Sequence, residues 1–100
     1  MKFGKYIRDM RTQKKETLHQ VAKGTDIDMT LLSKIERGER LPTFDQAKRI
    51  SSYFCIEKNK LISMLTAEKI LHEYGMNDNT LNAVCLVREK IVSYNNDRGR

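Results

Sequence analysis

Apolar residues recur every three or four positions along most of the chain, and this spacing is typical of one face of an α-helix. Phe3, Ile7 and Met10 show it near the start of the chain, and Leu32 and Ile35 show it again further on. No segment alternates between apolar and polar residues as a half-buried strand does. The pattern therefore predicts an all-α protein.

Residues that commonly begin or end helices divide the chain into six predicted helices. Thr17, Asp28 and Thr43 have side chains that can accept hydrogen bonds from the backbone amides of the following turn. Gly38 and Gly75 are suited to the left-handed backbone that often ends a helix. The predicted helices cover residues 3–14, 17–24, 29–37, 44–54, 58–74 and 79–94, the last with Asn79 or Thr80 as its N-cap, and the polar tail 95–100 is expected to fray.

The composition excludes several classes of protein. With 100 residues, of which 39% are apolar and 32% are charged, the chain can form a small core but no large substrate cavity. It has neither the ~18 apolar residues of a membrane-spanning helix nor the apolar run of a signal peptide, so we expect a cytoplasmic protein without membrane contact. Cys55 and Cys85 lack a C-x-x-C spacing, so we expect buried free thiols and no disulfide.

Positive charge is concentrated in the first two thirds of the chain. Residues 1–66 contain 14 Lys or Arg and 8 Asp or Glu, whereas residues 67–100 contain 5 of each. We therefore expect a basic domain over residues 1–66 that meets a polyanion, and a neutral helical extension over residues 67–100 that pairs with a second copy. A solvated surface that is basic without a polyanionic partner is the alternative interpretation.

The third predicted helix has one apolar side and one polar side. At 100° per residue, Leu32 and Ile35 lie together on the apolar side. Two hydroxyls and two cations lie opposite, and a DNA major groove would accept them, because lysine donates to guanine and hydroxyls bond to either base type. An ordinary solvated helix face has the same pattern. The polar side consists of Thr30, Ser33, Lys34 and Arg37, and it is flanked by Met29 and Leu31.

Glu36 lies about 40° from Leu32 around the third helix, close to its apolar side. A carboxylate in that position needs a partner, because burying an unpaired charge is costly. Arg11 on the first helix is the natural candidate. We therefore predict a partly buried Arg11–Glu36 ion pair that holds the first helix against the third.

The second and third predicted helices are short, and the three or four residues between them match the length pattern of a helix-turn-helix. In addition, residues 3–65 resemble the Xre/Cro family of phage and bacterial helix-turn-helix repressors. The most specific part of the resemblance is the block from Leu32 to Pro42. The resemblance rests on Ile7, Met10, Arg11, Thr17, Val21, Ala22, the run Leu32-Ser33-Lys34-Ile35-Glu36-Arg37-Gly38, Pro42, Thr43 and Ile50.

This resemblance implies a five-helix repressor-like domain with one additional C-terminal helix, and a function as a sequence-specific regulator that binds double-stranded DNA. It also implies that Arg11 and Glu36 are the pair that joins the first and third helices in the family, and that the protein acts in bacterial or phage-infected cytoplasm at the nucleoid. The implied base contacts fall on Met29, Thr30, Ser33 and Lys34, and the implied phosphate contacts on His19, Gln20, Arg37 and Arg40.

Four positions depart from the family's pattern. Leu18 stands where the family usually has a phosphate-binding glutamine, so that contact is not carried over. Asp26 replaces a common glycine in the turn, and we expect the turn to persist because Asp tolerates left-handed backbone. Cys55 replaces a frequent helix-ending glycine, at a cost of about 1 kcal/mol where the backbone is left-handed. Met29 replaces a polar base reader, which weakens any inference about the operator sequence.

The sixth predicted helix is apolar over more than half of its circumference, more than a five-helix core requires. It either folds back on Ile70 and Leu71 or pairs with a second copy, and the two arrangements are compatible. A dimer would place two recognition helices roughly 34–36 Å apart on a palindromic operator, where it would exclude or recruit RNA polymerase. The apolar residues are Leu81, Val84, Cys85, Val87, Ile91 and Val92, and the expected dimer contacts are Leu81, Val84, Val87 and Ile91.

Two other functional classes lead to different expectations. An enzyme is not expected, because the sequence has no phosphate-cradling Gly loop, no H-E-x-x-H and no carboxylate pair with a reason to share a site. The histidines and cysteines match no zinc-finger spacing, so we expect no metal and no cofactor. A protein-interaction module is the open alternative, for example an antitoxin or a co-regulator of a toxin or restriction-modification cassette, with Met29 and Leu31 as apolar anchors.

Overall fold

Six α-helices make up the regular structure of residues 3–98, the part of the chain that the computed structural model describes. No strand occurs in this range, so the all-α prediction is confirmed. The chain divides into two compact units, one up to Lys69 and one from Ile70 onward, and the division falls inside the fifth helix. The helices are α1 (Phe3–Gln13), α2 (Leu18–Thr25), α3 (Met29–Glu36), α4 (Phe44–Phe54), α5 (Lys58–Tyr74) and α6 (Asp78–Arg98).

The first unit is built around one apolar core to which α1, α2, α3, α4 and α5 all contribute. The buried residues of α1, α3, α4 and α5 recur at three or four positions, so each of these helices turns one side inward. Ile27, from the turn between α2 and α3, also enters the core. Burial of a side chain of this size contributes about 1.5–3 kcal/mol, which makes the core the main stabilising feature. Its members are Phe3, Ile7, Val21, Ala22, Ile27, Leu32, Ile35, Ala47, Ile50, Phe54, Leu61 and Leu65.

Side-chain caps fix the first residues of three helices. Thr17 before α2 forms a capping box with Gln20, in which each side chain bonds to the backbone N–H of the other. Thr43 before α4 forms the same box with Gln46. The carboxylate of Asp28 accepts hydrogen bonds from the second and third amides of α3. Because a good cap contributes about 1 kcal/mol, these residues determine where each helix begins.

The residues that directly follow α2 and α4 are non-glycine residues with left-handed backbone. Asp26 after α2 has a φ of 55°, and Cys55 after α4 has a φ of 56°. The backbone N–H of Asp26 donates to the carbonyl of Ala22, which closes the last turn of α2. This conformation costs roughly 1–2 kcal/mol for most L-residues, and Asp is among those that adopt it most readily. The turn after α2 therefore persists with Asp in place of glycine, as predicted.

Gly4 allows α1 to lie directly against the backbone of α3. A Cβ atom placed on Gly4 would lie 2.1 Å from the carbonyl oxygen of Ile35 and 2.8 Å from that of Glu36. No side chain can occupy this space unless the backbone of one helix moves. The position of α3 relative to α1 thus depends on the absence of a side chain at residue 4.

The second unit contains the end of α5 and all of α6, joined by a turn at Gly75 with a φ of 87°. Asn77 caps α6, because its Oδ1 accepts a hydrogen bond of 2.9 Å from the backbone N–H of Thr80. The prediction of Asn79 or Thr80 as the cap was wrong, since Asn77 already accepts from the amide of the third helical residue. The hydroxyl of Thr80 in turn donates to the carbonyl of Tyr74 at 3.2 Å, which joins the two helices.

The length of α6 also differs from the prediction. The helix continues to Arg98, whereas the sequence pattern predicted an end near Tyr94 and a frayed tail. No glycine or proline precedes Gly99 in this stretch, so nothing in the local sequence interrupts the helix. Residues 99–100 of the predicted tail lie outside the described residues. Two other helices, α1 and α3, each end one residue earlier than predicted.

Both cysteines are exposed, so the prediction of buried thiols was wrong. Cys55 follows the last residue of α4 and therefore lies off the apolar side of that helix. Cys85 lies in the part of α6 in which every side chain is exposed.

Among the described residues, no helix combines the length and the apolar composition that crossing a bilayer requires.

Candidate nucleic-acid interface

The candidate interface is formed by α2, a three-residue turn and α3. Each of the two helices has eight residues, and the turn between them covers residues 26–28. Three features fix the turn: left-handed Asp26 ends α2, Ile27 is buried at 4% exposure, and Asp28 caps α3. The sequence therefore sets both the length of the turn and the residue at which α3 begins.

The inner side of α3 is held by the core and by the ion pair that the sequence predicted. Leu32 and Ile35 are buried, and Glu36 lies beside them with 5% of its side chain exposed. Arg11 on α1 approaches this carboxylate with two nitrogens: Nε donates to Oε2 at 2.8 Å and Nη2 donates to Oε1 at 3.0 Å. The hydrogen bonds that Arg11 donates to Glu36 raise the pKa of Arg11 above its ordinary value, so the guanidinium stays charged.

Arg11 also contacts the segment that leads into α2. Its Nη1 donates a hydrogen bond of 2.9 Å to the backbone carbonyl of Glu16. The side-chain carboxylate of Glu16 accepts a hydrogen bond from the hydroxyl of Tyr53 on α4, and this bond raises the pKa of Tyr53. Sequence reasoning missed Glu16 and Tyr53, since nothing in the local sequence indicates that residues 37 positions apart are in contact. Together these groups connect α1, α3 and α4 around the helix-turn-helix.

The outer side of α3 presents the polar residues that the sequence placed there. Thr30 and Arg37 are exposed, Ser33 and Lys34 are half-buried, and Met29 is 48% exposed. Four of these residues surround a shallow depression of about 260 Å³ with Leu18 from the first turn of α2. The residues that line the depression are Leu18, Met29, Thr30, Ser33 and Arg37. The structure thus brings three predicted base readers and one predicted phosphate-binding cation together, with Lys34 outside this set.

Arg37 follows the last residue of α3 and bonds to two neighbours on the outer side. Its Nη1 donates to the hydroxyl of Ser33 at 2.7 Å, and its Nε donates to the carboxylate of Glu39 at 2.5 Å. The bond from Arg37 lowers the pKa of Glu39, so this carboxylate is ionised at neutral pH. Both side chains of the ion pair are about half exposed, and exposed pairs contribute at most about 1 kcal/mol. A phosphate group can therefore compete for the guanidinium.

The other predicted phosphate-binding residues lie outside the depression. His19 and Gln20 are exposed in the first turn of α2, and Arg40 is exposed after α3. The Oε1 atom of Gln20 accepts from the backbone N–H of Thr17 at 2.8 Å, so only its amide NH2 group is available to a phosphate. The sequence could have predicted the capping box of Thr17 and Gln20, because these residues have the same spacing as Thr43 and Gln46.

Residues 3–98 contain no group of three or more His, Cys, Asp or Glu side chains that could hold a metal ion. The outer side of α3 offers hydrogen-bond donors and cations on an accessible helix face. Such groups can contact base edges and phosphate oxygens.

Comparison with known protein families matches residues 7–54 to a family described as helix-turn-helix. The matched range begins at core residue Ile7 and ends at Phe54, the last residue of α4. It includes both short helices, the turn between them and the Arg11–Glu36 ion pair. A comparison with curated proteins finds no match for this chain.

Proposed function

We propose that this protein is one of the Xre/Cro/cI-like helix-turn-helix regulators, because the helix-turn-helix family matches residues 7–54, and that it regulates transcription by binding DNA at a specific operator. In this proposal α3 is the recognition helix and enters the major groove of double-stranded DNA. The base contacts are made by Met29, Thr30, Ser33 and Lys34, and the phosphate contacts by His19, Gln20, Arg37 and Arg40.

The main support for the proposal is that the inner side of α3 is packed in the core while its outer side is accessible to solvent. Leu32 and Ile35 anchor the helix in the core, and Glu36 is paired with Arg11. The outer side has hydroxyl and cationic donors that the described part of the chain does not bury. A rigid helix with an accessible polar face can present its side chains to base edges at fixed distances, as sequence reading requires.

The distribution of charge supports contact with phosphates. The formal net charge of the chain is +6, and residues 1–66 contain all of the excess. Cations that neutralise phosphates release counterions, so this contribution to affinity falls as salt concentration rises. We therefore expect a basal affinity for any duplex, to which the contacts of α3 add preference for one sequence.

We propose further that α6 joins two copies into a dimer on a palindromic operator. Apolar side chains of α6 are exposed in the single chain, with Leu81 at 61%, Val87 at 52% and Ile91 at 54%. A mainly apolar groove of about 440 Å³ runs between Ile70 and Val84 within the second unit, and Val84 itself is still 43% exposed. Folding back on the end of α5 thus leaves much apolar surface for a second copy to cover.

In this mechanism the dimer acts by occupancy. Two recognition helices related by a two-fold axis would contact half-sites about one turn of DNA apart, or roughly 34–36 Å. A dimer bound across a promoter would exclude RNA polymerase or, at a neighbouring position, recruit it. No step of this mechanism needs a cofactor or an enzymatic group.

A second candidate function is supported by the apolar wall of the depression on α3. Leu18 replaces a phosphate-binding polar residue, and Met29 is 48% exposed beside it. Exposed apolar residues in a depression are typical anchors for a protein partner. The protein would then be an antitoxin or a co-regulator of a toxin or restriction-modification cassette, with this same surface bound to protein.

Selection from random duplexes tests the first candidate against the second. A DNA-binding regulator should enrich a palindromic sequence, and its dissociation constant for that duplex should rise steeply between 50 and 200 mM salt, by about 10³-fold or more if six phosphates are contacted. The absence of an enriched sequence, together with salt-independent weak binding, would reject operator reading and favour the protein-interaction module.

A further inference from the structure

Arg49 on α4 binds the end of α2 and the start of the turn that follows it. Its Nη1 donates a hydrogen bond of 2.9 Å to the carbonyl of Thr25 and one of 2.8 Å to the carbonyl of Asp26. These carbonyls are at the C-terminal end of a helix, where the last carbonyls lack partners within the helix and a cation is favoured. One side chain thus satisfies two consecutive carbonyls on either side of the helix end.

The side chain of Arg49 is itself held in place. Its Nε lies 3.3 Å from Oδ2 of Asp45, one turn earlier on α4, and this contact is a charge interaction without a hydrogen bond. Arg49 lines a cleft of about 440 Å³ together with Gly24 and Tyr53. Its two hydrogen bonds are a directed polar connection between α4 and the turn.

The turn needs such a connection because Asp26 has left-handed backbone, which L-residues adopt at an energetic cost. We propose that Arg49 is a positioning residue for DNA recognition. From α4 it fixes the turn, and by fixing the turn it sets the angle between α2 and α3. This inference rests on the proposed function of α3. It predicts that loss of Arg49 reduces the preference for the operator more than it reduces the general affinity for DNA.

Two variants with the same change in charge test this role. Arg49→Gln removes both hydrogen bonds to the turn, whereas Lys48→Gln removes a neighbouring exposed cation that lines the same cleft. Arg49→Lys keeps the charge, but the lysine side chain is shorter and its ammonium does not reach the position of Nη1 as fully, so it should give an intermediate result. Each variant is compared with the full-length wild type in affinity for the selected duplex, affinity for a random duplex, and hydrogen exchange of the amides of residues 26–29.

For Arg49→Gln we expect an affinity for the selected duplex about tenfold lower, the effect of one charge-assisted hydrogen bond, and a change within about twofold for random duplex. Exchange of the turn amides should be faster by about tenfold, because the turn opens more often. Lys48→Gln should change both affinities alike, by about twofold or less, and should leave exchange unchanged. Thermal unfolding followed by circular dichroism is the control that tests whether each variant is folded at the temperature of the assay.

An equal loss of affinity for both duplexes in Arg49→Gln would overturn the inference, because it would indicate a direct phosphate contact. Unchanged exchange of the turn amides would overturn it as well. If the wild type binds no duplex, the proposed function fails, while the exchange measurement still decides whether Arg49 holds the turn. If Arg49→Gln does not fold, Arg49→Lys provides the same comparison, and an operator preference equal to that of wild type would count against the role.

Discussion

Arg11 and Glu36 are 25 positions apart in sequence, yet the guanidinium of one bonds to both carboxylate oxygens of the other. Only 15% of the Arg11 side chain and 5% of the Glu36 side chain are exposed. Such pairs offset their own desolvation cost and add little net stability, but the loss of one partner leaves an uncompensated buried charge. The pair therefore fixes α3 against α1 more than it stabilises the fold.

Replacement of Arg11 by Met should lower the free energy of unfolding by about 3 kcal/mol, because Glu36 is then buried without a partner. The double variant Arg11→Met, Glu36→Leu should be more stable than this single variant. Urea denaturation measures both changes. Lys5→Met, which breaks an exposed pair with Asp9, is the control and should cost less than about 1 kcal/mol. A double variant less stable than Arg11→Met would contradict this account.

The close approach of Gly4 to α3 predicts that Gly4→Ala is destabilising even though alanine favours helix. The added Cβ would lie 2.1 Å from the carbonyl oxygen of Ile35. Overpacking of this kind costs about 1–3 kcal/mol, which exceeds the gain of up to about 1 kcal/mol in helix propensity. Thermal unfolding should show a lower midpoint. Arg8→Ala, at an exposed position of the same helix, is the control and should leave the midpoint nearly unchanged.

Substitutions on the outer side of α3 should separate base reading from phosphate binding. Thr30→Ala or Lys34→Ala should reduce the preference for the selected duplex by about 1–3 kcal/mol per base contact and leave random-duplex affinity almost unchanged. Arg37→Ala should weaken binding to all sequences alike and reduce the salt slope by about one. Fluorescence anisotropy at several salt concentrations measures these effects. If Lys34→Ala and Arg37→Ala leave both affinities at the wild-type level, α3 is not the recognition helix.

The hydrogen bond from Tyr53 to Glu16 predicts a pH dependence of stability at high pH. The bond raises the pKa of Tyr53 in the folded state above its ordinary value of 10.0, so the folded protein holds this proton more tightly than the unfolded chain. This contribution is fully present below pH 10 and is lost as the pH rises through the folded-state pKa. The difference in unfolding free energy between wild type and Tyr53→Phe should therefore shrink between pH 9 and pH 11.

Glu16→Gln is the matched variant for this titration, because it removes the charge that accepts from Tyr53 and keeps the shape of the side chain. It should reduce the pH-dependent contribution, because the amide oxygen still accepts from the phenol while its NH2 group can donate to the phenolate. Urea denaturation at pH 9, 10 and 11 is sufficient for the comparison. A difference from wild type that is equal at all three pH values would mean that the phenol makes no such bond in solution.

The proposed dimer predicts a strong effect of charge on the apolar surface of α6. Val87→Glu would bury a carboxylate in the interface, and the dimer dissociation constant should rise by at least about tenfold. Asn82→Glu, also on an exposed part of α6 but outside the expected contacts, should leave the constant nearly unchanged. Sedimentation equilibrium measures both. A wild-type protein that is monomeric at all concentrations, including when bound to its selected duplex, would disprove this dimer.

The elements of the helix-turn-helix were predictable because their signals are local. The cap at Asp28, the replacement of glycine by Asp26 and the spacing of Leu32 and Ile35 can all be read within a few residues. The partnership of Arg11 with Glu36 was predictable for a different reason. The helical angle placed a carboxylate on a buried side, and a buried carboxylate requires a cation.

The features that were not predicted depend on how distant segments pack. Arg49 contacts its two carbonyls because α4 packs beside the end of α2, and sequence spacing does not show this packing. The bond from Tyr53 to Glu16 also joins two distant segments. The exposure of Cys85 follows from a helix whose apolar sides are not covered within the single chain, which its composition alone does not reveal. Sequence periodicity indicates which residues are apolar, but packing decides which of them are covered.

The positions of the two cysteines make the chain suitable for spectroscopic labelling. The sequence has one thiol in each compact unit, and both are accessible to a reagent. Nitroxide or dye pairs can therefore be attached at Cys55 and Cys85 without any engineered mutation, and the distance between the two labels can be followed with and without duplex. The same accessibility means that purification needs a reductant, since two chains brought together would otherwise be cross-linked by oxidation.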